Sequence, residues 1–130
     1  MLAAMLTVPT PDPLTPDVAY CEEIRTQCGD GPVIVMKLMR FQPNGGQERF
    51  QEYGRITHPL LEKARGDILY LGTGGPVLAG EREWDLVALV RFPHIDRFLD
   101  MVTDPLFQSE GRKLRADSLE RVQWMVTFPV

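Results

Sequence analysis

From Trp84 to Phe92 every second residue is apolar: Trp84, Leu86, Ala88, Val90 and Phe92. The residues between them, Asp85, Val87, Leu89 and Arg91, are mixed. Residues 120–128 repeat the arrangement, with Val122, Trp124, Val126 and Phe128 set against Arg121, Gln123, Met125 and Thr127. A period of two is the signature of a strand with one dry face and one that is not. VIVMKLMRF (33–41) reads as a further strand, bounded by Gly31-Pro32 and by the turn residues Pro43 to Gly46. ILYLG (68–72) reads as another, with Gly74-Gly75-Pro76 in an extended region that reaches Ala79. LMRF (38–41) and LVRF (89–92) close two of these strands with one phrase, marking the first strand of each half of a repeated βα plan.

Between the strands the period changes to that of a helix. Over 47–65, Phe50, Tyr53, Thr57, Leu60 or Leu61, and Ala64 share a side, Gly66 is placed to close the helix, and Pro59 predicts a kink or a split near His58. Ile95, Phe98, Leu99 and Val102 mark a short helix, and Asp104-Pro105 caps and starts another. Upstream, Thr15-Pro16 predicts a helix start and Gly29 a stop, with Val18, Cys21, Ile24 and Cys28 as the docking stripe. Pro9, Pro11 and Pro13 predict an extended arm over 1–14. In such a helix Cys21 and Cys28 stand about 10 Å apart, too far for a disulfide, which needs Cα atoms within about 7 Å. Buried reduced thiols are the expectation.

The order strand, helix, strand, strand, helix, strand is the split βαβ, or ferredoxin-like, arrangement: an α+β fold with a four-stranded antiparallel sheet and its helices on one face. The expected division is an arm and short helix over 1–30 and the ferredoxin-like domain over 31–130. The second sheet face, roughly 400 Å² in projection, is half apolar and needs a partner. A homodimer joined sheet to sheet is the predicted assembly.

Charge and composition narrow the function classes. The net charge of −4 provides no basic field for phosphates, so a nucleic-acid partner is not expected. No apolar run approaches the ~20 residues that span a bilayer. The opening MLAAMLTV lacks a basic flank and makes a poor signal peptide, so no membrane partner and a cytoplasmic location are expected. GTGGPVLAG (72–80) is followed by an extended stretch rather than a helix, which favours a hairpin over a phosphate loop. His58 and His94 have no zinc-motif spacing, and capping or surface roles outweigh acid–base ones. No metal and no cofactor are expected.

Four stretches together, GPVIVMKLMRF (31–41), Phe-x-x-Tyr-Gly (50–54), EWDLVALVRFP (83–93) and FLDMVTDPLFQ (98–108), resemble a bacterial family of unknown function. The resemblance covers about residues 30–128 and implies ferredoxin-like subunits that dimerise into an α+β barrel. The wider superfamily includes cofactor-free monooxygenases, muconolactone-type isomerases and haem-dependent chlorite-degrading enzymes, so it implies no single activity. Lys37 stands where that family usually shows Asn, and Leu114-Arg115 where an His-Arg pair is common.

Strand parity selects the candidate site. Lys37, Asp85, Arg91, Arg121 and Gln123 occupy odd strand positions, assigned to the open face, with His58, His94 and Arg115 as secondary candidates. A basic-leaning barrel interior suits a small carboxylate or enolate-like ligand. Aligning LMRF with LVRF instead sets Lys37 against Ala88, under the helices, but a lysine in a dry layer is costly, and the open face is the assignment made. The leading function is a small-molecule-binding barrel, extending to a cofactor-independent enzyme. The alternative is a non-catalytic module whose polar interior only sets dimer geometry.

Overall fold

The computed structural model describes residues 12–130. The arm expected over 1–14 therefore falls, through residue 11, outside the described residues. The elements are α1 (Val18–Arg25), β1 (Val33–Phe41), α2 (Gly46–Lys63), β2 (Asp67–Thr73), β3 (Leu86–Phe92), α3 (Ile95–Val102), a π-helical turn (Phe107–Gly111), α4 (Arg112–Ser118) and β4 (Leu119–Thr127). The strands pair antiparallel in the order β2-β3-β1-β4. This is the ferredoxin-like α+β arrangement read from the element order.

The register gives each face a set of cross-strand rows. Leu71–Ala88–Lys37–Trp124 is one row, and Ile68–Val90–Val35–Val126 lies beside it on the same face. That face carries the core, where Val33, Val35, Val90 and Phe92 are buried with Ile95, Phe98, Leu99, Val102 and Phe107 of the helical layer. On the other face Tyr70, Leu89, Met36 and Met125 form an apolar row across all four strands. Tyr70 and Met125 are about half exposed. The open face is therefore drier along its middle than its sequence suggests.

Local chemistry explains where the elements differ from expectation. The cap of α1 is Asp17, whose carboxylate accepts the Tyr20 N–H at 2.9 Å, rather than Thr15. Val18 is exposed, whereas Cys21, Ile24 and Cys28 pack against the core. Arg25 fastens the helix to α3 through Asp96 (2.9 Å) and Asp100 (3.0 Å). Both cysteines are free; burial, then the Asp17 and Glu22 carboxylates, push the Cys21 thiol up to about 11.

Helix α2 runs unbroken through Pro59, so the predicted split does not occur. Pro59 sits on the exposed side, where water can take the carbonyl its missing N–H leaves free. The left-handed residue after α2 is Arg65 (φ 61°), not Gly66. Gly66 instead sits close under Leu61, whose side chain would have to shift for a Cβ there, 2.2 Å from Leu61 Cδ1. As expected, Asp104 opens the segment before the π-helical turn, accepting the Leu106 N–H at 2.8 Å. Among the described residues no helix is long and apolar enough to cross a membrane.

Candidate functional site

Lys37 is on the helix face, which corrects its assignment to the open one. Its neighbours are Ala88 on β3 and Trp124 on β4. The small alanine leaves room for the lysine stem, and the ammonium stands 4.8 Å from the centroid of the Trp124 ring. A cation over an indole face recovers part of the lost hydration. Among the described residues Lys37 makes no ion pair and no hydrogen bond. Its pKa is depressed to about 8, first by desolvation and then by the charge of Arg115.

Arg115, a secondary candidate in the sequence, is fully buried in the same layer. Its Nε donates to Leu14 O (3.1 Å), Nη1 to the Tyr53 hydroxyl (3.2 Å), and Nη2 to Thr15 Oγ1 (3.2 Å) and Phe107 O (3.3 Å). The guanidinium carbon lies 4.1 Å from the Phe107 ring centroid and 5.5 Å from that of Tyr53. All four acceptors are neutral. Asp12 feels the guanidinium only as a through-space charge and forms its ion pair with Arg112 at 3.6 Å. The π-helical turn brings the Phe107 carbonyl to Arg115, and Gly111 keeps the approach open, since a Cβ there would meet Arg115 Nη1 at 3.1 Å.

Trp124 joins this cluster to a cavity. Its Nε1 is buried and has no acceptor among the described residues. Tyr53 is buried as well, and burial raises its pKa against the opposing influence of Arg115. Beside them a groove of about 680 Å³ runs between residues 12–28 and the helix-side face of β4. Its lining is chiefly apolar, including Leu14, Cys21, Ile24, Leu99, Trp124 and Val126, with Thr15 and the carboxylates of Asp12 and Asp17 among its polar groups and Gln123 reaching it from the β4 edge. Trp124 and Thr15 thus border the groove while contacting the half-buried Lys37 and the buried Arg115, respectively.

The other candidates do not converge. Asp85 extends the β1–β3 ladder by one step, donating its N–H to Met39 O (2.8 Å) and accepting the Phe41 N–H on its carboxylate (2.8 Å). That carboxylate therefore serves the backbone at the β1 bulge rather than an open-face pocket. Arg121 is at the rim, donating to Glu83 O, paired with Glu120 at 3.4 Å and stacked on Trp84 at 4.8 Å. Trp84 accordingly lies at this rim rather than in the dry core. A shallow depression of about 380 Å³ beside it has Arg40, Asp85 and Glu120 in its lining, and Arg40 is already within 3.9 Å of Asp85. Arg91 and Gln123 do project from the open face, opposite Ile34 and Leu38, in rows on either side of the apolar one. His58 is exposed, 3.6 Å from Glu62. His94 caps α3, accepting the Asp96 N–H at 3.1 Å, with Asp30 3.3 Å from its other nitrogen.

Sequence reading missed Trp124, Tyr53 and Thr15 as members of a site. One signal was present: a tryptophan at a dry strand position buries an N–H that needs a partner.

Comparison with solved structures places the fold among bacterial proteins. A protein of unknown function from Rhodopseudomonas palustris superposes with a TM-score of 0.80 and 25% identity, over 90% of this chain and 96% of that one. A dabb family protein with a ferredoxin-like fold from Mesorhizobium loti matches with a TM-score of 0.55 and 9% identity, over 78% of this chain and 99% of its own. A dimeric protein of unknown function and ferredoxin-like fold from Bacteroides fragilis matches with a TM-score of 0.51 and 16% identity, over 76% and 98%. No family model matches the chain, and no curated protein does.

Proposed function

We propose that this protein is a homodimeric binding protein for a small, largely apolar metabolite, held in the groove between the amino-terminal segment and β4. The groove carries this reading: about 680 Å³ with mainly apolar walls and a few polar groups matches the size and lining of ligand pockets in general. The binding place is then within the subunit, on the helix side of the sheet, and not between two sheets.

Dimerisation is supported separately by the apolar row Tyr70–Leu89–Met36–Met125, which a second copy of the same face can cover. Edge strand β2 offers further apolar surface along its own margin, where Ile68, Leu69 and Leu71 are substantially exposed. The Bacteroides fragilis protein, described as dimeric, offers a precedent on the same fold.

Native mass spectrometry of protein purified from its own host reads both parts at once. The expected result is a species of twice 14.7 kDa carrying a small adduct. A monomer sinks the assembly. Absence of any adduct, together with no calorimetric response to a panel of small aromatic and aliphatic compounds, sinks the binding role.

A further inference from the structure

The groove reading leaves the chemistry of the ligand open, and the buried donors next to it narrow that chemistry. Lys37 has an ammonium without a hydrogen bond or ion pair among the described residues. Trp124 has a buried N–H without an acceptor among the described residues. The Tyr53 hydroxyl accepts from Arg115, so its own proton is free to be donated. Arg115 brings a second positive charge that four neutral acceptors satisfy geometrically but do not neutralise. A buried cation without a counter-charge costs several kcal/mol, and an unmet buried N–H roughly 1–3 kcal/mol. The two meet in one layer: the half-buried Lys37 ammonium stands 4.8 Å from the centroid of the Trp124 ring that carries the unmet N–H.

Resting on the groove as the binding place, we propose that Lys37 and Trp124, backed by the charge of Arg115, form an anion-recognising pole at its edge, which takes the carboxylate of a small organic acid whose apolar body lies in the groove. A carboxylate is acceptor-only when ionised and has lone pairs enough for the ammonium and the indole N–H together. It also supplies the negative charge that neither a carbonyl nor an amide brings. A purely structural role explains Arg115, which fastens Leu14 and Thr15 to the body, but provides nothing for Lys37. A methionine would fill the same space beside Ala88 without the desolvation cost. The indole borders both the groove and the ammonium, so its fluorescence should respond when the pole is filled.

The test uses matched acid and amide pairs, benzoate with benzamide and hexanoate with hexanamide, together with acetate, titrated at pH 7 into the full chain, Lys37→Met and the open-face control Arg91→Gln. The expected result is that wild type binds each acid at least tenfold more tightly than its amide. Arg91→Gln should keep that preference and Lys37→Met should lose it while retaining the amide affinity. Equal affinity of wild type for acids and amides overturns the anion pole and leaves the groove reading standing. An acid preference that survives intact in Lys37→Met overturns the role of Lys37; the wild-type ratio needs no variant at all. If no acid or amide with an apolar body binds, yet acetate raises the melting temperature of wild type and not of Lys37→Met, the groove reading falls and the anion pole stands. No response to any of these compounds overturns both.

Discussion

Lys37 and Trp124 face each other across β1 and β4 beneath the helices, with the ammonium 4.8 Å from the indole ring centroid. The contact is a compromise between burial and charge. The ring offers the cation a face, Ala88 offers it room, and nothing among the described residues offers it a proton acceptor. The depressed pKa of Lys37, about 8, expresses that imbalance.

The imbalance should be visible in stability against pH. An unfolded lysine titrates near 10.5, so the folded state disfavours the proton, and the penalty is fully present below pH 8. It is relieved as pH rises from 8 toward 10.5. Cys21 and Tyr53, both with raised pKa, act in the opposite direction at alkaline pH, but they are common to wild type and variant. Lys37→Met should therefore be more stable than wild type by about 1–3 kcal/mol at pH 7, and the gap should shrink toward pH 10. Urea melts at the two pH values measure it. A gap that stays constant would mean that the lysine is not desolvated.

Arg115 connects four parts of the chain: Leu14, Thr15, Tyr53 and Phe107. Arg115→Leu removes the donors and leaves Thr15, Tyr53 and two carbonyls without them in a buried layer. The expected loss is about 2–4 kcal/mol, with hydrogen exchange accelerating first around residues 14–21. Slow exchange retained there would show that the segment is held by apolar contacts alone.

Arg25 is the polar fastening of α1. With Asp96 and Asp100 within 3.0 Å and its side chain only about one-fifth exposed, it should outperform an ordinary surface pair. Arg25→Ala should cost about 1 kcal/mol in a denaturant melt, and Asp100→Ala less, since Asp96 remains. An Arg25 variant as stable as wild type would assign the docking of α1 to Cys21, Ile24 and Cys28.

Leu89 occupies the middle of the open face, between Tyr70 and Met36. Leu89→Lys should shift sedimentation equilibrium at micromolar concentration from dimer to monomer without loss of the helical spectrum. Glu62→Ala, on the exposed side of α2, should leave the mass unchanged. A dimer that tolerates Leu89→Lys would place the interface elsewhere, with the uncovered edge of β2 the next surface to test.

Much of the fold was legible in the chain because hydrophobic periodicity is a local property. The wholly apolar even positions from Leu86 to Phe92 and from Val122 to Val126 could only face a core, and Asp104 announced its helix by capping it. In VIVMKLMRF both parities are apolar except for Lys37 and Arg40, so local pattern could not say which side of β1 faces the helices. Cross-strand pairing decided it: Lys37 opposes Ala88 and Trp124, whose parity was unambiguous, and must share their side. The same pairing turned Asp85 into a backbone acceptor and left Arg121 at the rim. The meeting of Arg115 with Tyr53 and Thr15 spans 62 and 100 residues of sequence. Such contacts have no sequence period, because they arise only when helices, sheet and amino-terminal segment are packed together, and it was that packing, rather than any motif, that gathered the buried donors beside a groove.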